Sequence, residues 1–570
     1  MKKLFTLCAA FMASCSLMLA DNVYGFAGSG TAEDPYQITK AQDFYTLAEK
    51  ITADNTGLGE YFALQNDIDF ENGQLPSIAK AAITNITTVA YGFEGTLDGQ
   101  GYSITSIAHT QNGNNDEGKF NSLISSLGEN GVIRNLVCDK STIDSYNYAA
   151  PFACVSKGLI EGCVNRCTVT AANAFAAGIC GYMIVGKGTI SDCTNYGAIT
   201  ATTYACGIVG GTQSGKSITD YQYLVSDCQN YGKLAATNAS TSGCGGIAGS
   251  YSGRVYDCVN YADIDAEGKQ YASGIVAFGA YALDVLTCTN AGNITGGKKV
   301  GGIVGHVGQA GAVIDGCING AYAEDNTTIN GTVSGTENVG GIIGNSTNDD
   351  TKVVHCANLC DVKADGVETA GHITGNDKIL VSDCYYVQGT ALPLDGETPT
   401  LASAADLQNC WSRSYTGTLS VAVGGSVVAT IEDANVTVTY ASTRTANIAI
   451  PAITYGQMAI SSFQANVNYT GQMPDATFAS DGYTAEAGGL TITGTSLEGT
   501  ATETQLDITT VARAGRMPLD MTITFSATTT GIEGIEAAAP AVSRRYDLQG
   551  RRSQQSVGLF IENGKVSIVR

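Results

Sequence analysis

The chain has 570 residues and a formal net charge of −23 at pH 7, from 53 Asp and Glu against 30 Lys and Arg. So acidic a surface repels polyanions, which argues against nucleic acid and anionic membranes as partners and leaves cation binding or contact with neutral glycans open. Only 15% of residues are charged, 70 are glycine and one is Trp, a profile that excludes a helical bundle and fits an all-β, repeat-built chain.

In chain order, Lys2 and Lys3 precede an apolar run from Leu4 to about Ala13. The run is too short to span a bilayer and reads as a Sec-type signal peptide over residues 1–20, cleaved after Ala20 or, as a second choice, after Ala27. Its removal takes two lysines and no acids, so the charge moves from −23 to −25. No later stretch is apolar enough for a transmembrane helix. Thr39-Lys40-Ala41-Gln42 then has capping-box spacing, and Phe44, Leu47, Ala48 and Ile51 fall on one helical face. A short amphipathic helix is expected there. It would close the N-terminal end of the repeats, since an uncapped repeat stack exposes strand edges.

The body of the chain repeats. The pattern aliphatic-x-x-Cys-x-Asn recurs as IEGCVN, ISDCTN, VSDCQN, VYDCVN, VLTCTN, IDGCIN and VVHCAN, with degenerate copies NLVCDK and VSDCYY. Between these copies lie GICG, GIVG, GIAG, GIVA, GIVG and GIIG. The motif cysteines are Cys138, Cys163, Cys193, Cys228, Cys258, Cys288, Cys317, Cys356 and Cys384, spaced 25 to 39 residues apart. Such a period means stacked units, none of which can bury its apolar face alone. Short Ile and Val runs between Gly, Asn, Asp and Thr read as strands. About 30 residues at roughly 3.3 Å each suits one coil of a parallel β-helix with three short strands, stacked about 4.8 Å from the next.

Stacking turns equivalent residues into vertical files. Asn165, Asn195, Asn230, Asn260, Asn290, Asn319 and Asn358 are expected to form an amide ladder. Gly207, Gly246 and Gly302 fall where the chain bends or is approached closely. Nine cysteines in one file are expected to be buried, reduced and stacked, because parallel Cβ vectors favour poor disulfide torsions and an odd file leaves a thiol over. Cys154, Cys167, Cys180, Cys206, Cys244 and Cys360 lie outside the file and remain open to pairing.

The IxxCxN…GGIVG pattern resembles the GLUG-type repeats of secreted bacterial proteins in the pectin-lyase-like group. GSGTAEDPYQIT, YFALQNDIDF, FEGTLDGQGYSITSI and GENGVIRNLV resemble the opening segments of such proteins. The resemblance covers residues 24–390 and implies a right-handed parallel β-helix. It says little about function, because that family is defined mainly by its repeats.

Residues 391–413 read as a linker, with a short helix over Thr400–Trp411. From 414 to 528 the texture changes to eight or so alternating strands, a small antiparallel barrel or sandwich. A central Met473-Pro474 pair and a closing MTITFSA resemble the calycin-like domains of Bacteroidota, which implies a barrel able to hold a ligand. After a linker at 529–545, residues 546–570 carry YDLQGRR…GLFIENGK, three short strands with turns at Gln549-Gly550 and Asn563-Gly564. This resembles the C-terminal sorting tails of type IX secretion substrates, and implies contact with secretion machinery and an extracellular or outer-membrane-surface location.

For chemistry the sequence offers little. His109, His306, His355 and His372 make no metal spacing and read as turn or surface residues. No zincin, P-loop, GxSxG or CxxC-pair motif occurs, so no catalytic residue, metal or cofactor is assigned. Asp67, Asp69 and Asp98 sit in turn-like stretches and read as structural. The sharpest feature is Asp-Cys-x-Asn-Tyr in three coils: Asp192/Tyr196, Asp227/Tyr231 and Asp257/Tyr261. Stacked, these make a tyrosine file beside three carboxylates, a surface suited to a sugar chain. The functional expectation is a secreted or cell-surface, adhesin-like protein contacting glycans or a host or neighbouring cell. The alternatives are a β-helix polysaccharide lyase or glycoside hydrolase, and a structural surface protein without ligand.

Overall fold

The computed structural model describes residues 22–86, 88–110, 112–115, 118–184, 188–213, 223–238, 241–309, 311–320, 331–365, 370–387, 400–401, 412–440, 445–455, 458–472, 475–502, 504–528, 558–562 and 565–569. The expected signal peptide, the Met473-Pro474 pair, the 529–545 linker and both tail turns lie outside these residues. The chain divides into two compact units, one holding the repeats and one holding most of the chain from Ser412 onward.

The repeats form a parallel β-solenoid of about eleven turns. One coil shows the plan: Thr189–Ser191, Thr194–Asn195, Ile199–Ala201, Tyr204–Cys206 and Val209–Gly211. Each strand pairs in parallel with its equivalent one coil on. The coil thus has five short strands, not three. The extra corner lies inside the aliphatic-x-x-Cys-x-Asn motif. There Asn135, Gly162, Asp192, Asp227, Asp257, Thr287, Gly316, His355 and Asp383 all have φ between +47° and +64°. Asn, Asp and Gly tolerate this left-handed conformation best, which is why they dominate the position.

Inward residues build the core as files. Leu97, Ile133, Ile160, Ile190, Val225, Val255, Val285, Ile314 and Val353 are in register and fully buried. Across from them run Ile179, Ile208, Ile247, Ile275, Ile303, Ile342 and Ile373. Burying each such side chain contributes roughly 1.5–3 kcal/mol.

The asparagine ladder forms as expected. From Asn165 to Asn358 each Nδ2 donates to the Oδ1 of the next, six bonds of 2.8 Å. Six of the seven amides also bond their own turn, as where Asn230 Oδ1 accepts from the Gly232 N–H at 3.1 Å and its Nδ2 donates to the Gly232 carbonyl at 3.3 Å. The motif glycine meets the ladder from the opposite wall. A Cβ on Gly207 would lie 2.5 Å from Asn230 Cγ, and one on Gly302 would lie 2.1 Å from Asn319 Cγ. The two halves of the repeat therefore recur together because they touch.

The cysteine file has eight members, not nine. Register places Cys163, Cys193, Cys228, Cys258, Cys288, Cys317, Cys356 and Cys384 one above another. Cys138 instead faces Asn165 and occupies the asparagine rung. All the file members are buried free thiols.

At the N-terminus Tyr36–Ile38 pairs with Tyr61–Leu64, and the expected helix forms over Ala41–Lys50. Its box is closed by Asp43, whose carboxylate accepts the Thr39 and Lys40 N–H groups at 2.8 and 3.2 Å. Phe44 and Leu47 are fully buried, and Phe44 packs on Phe70 of the first coil. Of Thr400–Trp411, where a helix is expected, Thr400–Leu401 is a strand paired in parallel with Tyr386 and Val387, and the rest lies outside the described residues.

The second unit is a closed antiparallel barrel of eight strands. Ser412–Val423 lies at the centre of the strand order, and Asp475–Ser480 pairs with Leu490–Ala501 to close the ring. Tyr483–Ala487 continues along the same edge of Leu490–Ala501. Inward side chains, among them Tyr415, Val436, Phe478, Ile492, Leu506 and Phe525, fill the interior. In the tail, Gly558–Glu562 and Lys565–Val569 form an antiparallel hairpin.

The histidines correct the expectation. His109, His306 and His372 are buried, and only His355 occupies a turn. The solenoid wall accommodates a neutral imidazole as a flat ring: His306 stacks on Tyr271 at 5.8 Å, and His372 stacks on Tyr386 at 4.2 Å. Burial pushes the His306 and His109 pKa values down from 6.5 to about 4.

Unfolding measurements check both the ladder and the buried rings. Asn230→Ala removes four bonds and leaves buried partners in two coils and in its own turn, so it should cost about 3–5 kcal/mol in denaturant unfolding. The unfolded chain protonates its histidines below pH 6.5 while the folded chain refuses the proton until about pH 4. Stability should therefore fall as pH drops through this window, by up to about 3 kcal/mol per histidine. His306→Phe, which keeps the ring stack, should flatten that loss in urea midpoints compared at about pH 7 and about pH 4.5.

Candidate functional site

The turn after each asparagine rung points outward. Its N–H donates to the rung carbonyl one coil back: Arg166 to Cys138, Tyr196 to Asn165, Tyr231 to Asn195, Tyr261 to Asn230, Ala291 to Asn260, Gly320 to Asn290 and Leu359 to Asn319. These residues therefore form one file, exposed from Arg166 to Tyr261 and buried at Gly320 and Leu359. Within it Tyr196 and Tyr231 stack at 4.9 Å and 12°, and Tyr231 and Tyr261 at 4.5 Å and 7°. Their exposures are 50%, 41% and 45%, in a chain that buries most of its large apolar groups. The sequence placed these three residues together and the structure does the same.

Stacking changes what the file offers. Each inner ring face is taken by its neighbour, so the rings present edges and hydroxyls. Below, the Arg166 guanidinium covers Tyr196 at 5.7 Å, a cation–π contact. Above, Tyr261 meets no further ring among the described residues, since the next two rungs are Ala291 and Gly320. The Tyr231 hydroxyl donates to Gln229 Oε1 at 3.1 Å. Partial desolvation by its neighbours, ahead of the nearby phenols, holds that hydroxyl above its ordinary pKa.

Asp192, Asp227 and Asp257 line the preceding corner, separated from the tyrosines by Thr194–Asn195, Gln229–Asn230 and Val259–Asn260. All three adopt the left-handed conformation, with φ of 52° to 55°. That backbone demand explains their recurrence without a ligand. Asp257 in addition accepts the Thr287 hydroxyl at 2.5 Å.

The three opening-segment carboxylates are committed to turns or pairs. Asp67 accepts the Ser103 N–H and hydroxyl at 2.8 and 2.9 Å, and Asp69 accepts the Glu71 N–H at 2.8 Å. These bonds, led by the backbone ones, hold both carboxyls below their ordinary pKa. Asp98 pairs with Arg134 at 2.8 Å. The closest approach to acid–base geometry is His355, whose Nδ1 lies 2.9 Å from Asp315, with Asp383 3.9 Å from Nε2. Among the described residues no three His, Cys, Asp or Glu side chains are gathered as a metal site.

A second aromatic band is harder to find in the sequence. Tyr148, Phe175 and Tyr204 occupy one register position, with Tyr271 two coils further on across Gly243. Tyr182 and Phe278 pack beside them, and Lys299 lies 5.4 Å over the Tyr271 ring. Burial raises the Tyr182 hydroxyl to about 12 and shifts Tyr148 and Tyr204 further in the same direction. The signal is an aromatic-Ala dipeptide repeated in four coils: Tyr148-Ala149, Phe175-Ala176, Tyr204-Ala205 and Tyr271-Ala272. Tyr204 is buried and the other three rings are half-buried, and together they support the wall. In the barrel, Asn447 bonds Gln464 and Asn466 at 3.2 and 2.9 Å on the outer face of the sheet, a polar patch rather than an interior ligand cavity.

Comparison with known proteins adds three findings. Halomucin of Haloquadratum walsbyi is 26% identical over 225 residues, which is 34% of this chain and 2% of halomucin. The chain therefore corresponds to a small fraction of that protein's length. A solved structure of a putative outer membrane protein from Bacteroides fragilis is 23% identical, covering 21% of this chain and 50% of that one, with a TM-score of 0.19. Residues 412–528 match the family described as "Calycin-like beta-barrel domain", and the closed eight-stranded barrel found there is a calycin-like barrel.

Proposed function

We propose that this chain is a secreted or cell-surface binding protein of adhesin type, which contacts glycans through the outer tyrosine file. Residues 1–20 serve as its Sec signal, and residues 546–570 serve as a type IX sorting tail that delivers it to the cell exterior. The GLUG-like repeats supply a rigid shaft, and the stretch similar to halomucin fits a surface setting. The observation that carries this reading is the exposed stack of Tyr196, Tyr231 and Tyr261. Three contiguous aromatic rings held in water form an apolar patch, whereas the other exposed large apolar groups of the repeat unit, Val23, Leu58, Tyr102 and Leu380, belong to no such stack.

The geometry narrows how a sugar binds. A pyranose ring stacks on an aromatic face, and the faces between the three tyrosines are taken. The free face belongs to Tyr261 and looks toward the small rungs Ala291 and Gly320. A sugar ring stacked there extends the file by one step, with the phenol hydroxyls donating or accepting and the Asp192, Asp227 and Asp257 carboxylates accepting bonds along the flank.

Glycan-array binding by the purified chain tests this. Tyr261→Ala should weaken a positive glycan about tenfold, equal to about 1.4 kcal/mol, while Tyr196→Ala, whose outer face is under Arg166, should change it less than about threefold. Binding that survives removal of all three tyrosines with the β spectrum intact would refute the proposal.

A further inference from the structure

The asparagine ladder has a lower end, and two thiols meet there. At the rung position the first coils carry Ile68, Ile104 and Cys138, and asparagine begins only at Asn165. Cys138 cannot do what asparagine does, because a thiol cannot close the turn to the residue two places on. The chain responds with one extra residue. Between rung and next strand, Cys138 to Ile143 spans five steps, where Asn165 to Val169 spans four, although Ile143 and Val169 are in register. Lys140 takes up the excess at φ +47°.

Cys167 lies over this irregular turn. Its N–H donates to Asn165 Oδ1 at 2.8 Å, and its Sγ lies 3.0 Å from Cys138 Sγ. Both thiols are buried. The file cysteines behave differently. Their hydrogens point at carbonyls, as in Cys193 to Ser191 at 3.2 Å and Cys228 to Ser226 at 3.1 Å. They are also in register, with parallel Cβ vectors that suit a disulfide poorly. Cys138 and Cys167 are two places out of register, and their sulfurs are separated by about 1 Å more than a covalent S–S bond.

We propose that Cys138 and Cys167 form a disulfide that serves as the covalent bottom rung of the asparagine ladder. The oxidant is a donor disulfide, either an oxidised dithiol protein of the export route or oxidised glutathione in vitro. The Cys138 thiolate attacks one donor sulfur and releases the other as a thiolate. The Cys167 thiolate then attacks Cys138 Sγ, forms the bond and releases the second donor thiol. The protein loses two hydrogens and the donor gains them. Exchange belongs to the folding stage, before the coils close. In the finished fold the neighbouring Cys167 and burial hold the Cys138 thiol protonated and inert.

Peptide mapping decides the matter. The full chain is refolded in oxidised glutathione, its free thiols are alkylated in denaturant, and it is digested with trypsin without reduction. Cleavage after Arg134, Lys140, Arg166 and Lys187 separates Cys138 (residues 135–140) from Cys163 and places Cys167 in 167–187. The expected product is 135–140 joined to 167–187, two hydrogens lighter than the sum, and lost on reduction. Because 167–187 also holds Cys180, the link should persist in Cys180→Ala and vanish in Cys167→Ala. Recovery of both wild-type peptides as alkylated free thiols overturns the proposal, and so does a link that survives Cys167→Ala. Should a variant fail to fold, fragmentation of the linked wild-type peptide between Cys167 and Cys180 assigns the bond, and a link carried by Cys180 overturns the proposal.

Discussion

A primary amide buried in a protein interior has two donors and an acceptor with two lone pairs to satisfy, and an unmet one is costly. The solenoid meets all of them with a single device. Asn195, Asn230 and Asn290 each give one hydrogen to the amide above and one to their own turn carbonyl, and receive one from the amide below and one from their own turn N–H. This works only if successive coils are in register and about 4.8 Å apart. A one-residue slip would leave several amides unmatched in a dry interior. The ladder thus sets the stacking order, while the aliphatic files on either side supply most of the burial energy. The motif glycines belong to the same constraint, since any side chain there would collide with the amide it faces.

The solvent-facing residues reflect what the ladder fixes within. The left-handed corner before each cysteine selects Asn, Asp or Gly, and so produces a row of carboxylates with no ligand required. The turn after each asparagine carries no such backbone demand except at Gly320, where φ is +106°, and its occupants vary: Arg166, Tyr196, Tyr231, Tyr261, Ala291, Gly320, Leu359. Three consecutive tyrosines at an unconstrained position carry more functional information than three aspartates at a constrained one. The binding proposal accordingly rests on the rings rather than on the acids.

The ladder, the buried cysteine file and the tyrosine stack were all legible in the sequence, because each is a repeated letter at a repeated spacing and parallel stacking converts spacing into contact. What stayed hidden depended on a break in the pattern. NLVCDK carries the motif cysteine letter, yet backbone pairing places Cys138 at the asparagine rung, a shift of two that the degenerate copy could not reveal. The fifth strand per coil stayed hidden because the corner at Asp192 and its equivalents is set by φ, and Asp or Asn in a short polar stretch suits several turn types. The buried histidines were misjudged because each occurs in one coil alone. Their burial comes from a ring stacking partner, Tyr271 for His306 and Tyr386 for His372, supplied by a distant stretch of chain. The barrel strands were visible as alternation, but closure through Asp475–Ser480 and Leu490–Ala501 is a long-range pairing that alternation does not encode.

An amide ladder open to water at its ends would fray, since a terminal amide bonds water as readily as a neighbour. Here both ends are shut by apolar rungs. Below Asn165 the same position holds Cys138, Ile104 and Ile68, and above Asn358 it holds Tyr386, itself covered by His372. The terminal amide turns inward instead, with Asn358 Nδ2 donating to the Cys360 carbonyl at 2.9 Å. A polar file enclosed between apolar caps has no cheap place to start opening, so the seven rungs should separate together rather than one at a time. The position two places after each asparagine differs in the same way, with cysteine at Cys167 and Cys360 in the first and last coils and Gly197, Gly232, Ala262, Gly292 and Ala321 between them. The interior glycines leave room for the amide one coil below, since a Cβ on Gly197 or Gly232 would lie 2.6 or 2.3 Å from the Nδ2 of Asn165 or Asn195, whereas Cys167 has Cys138 below it in place of an amide.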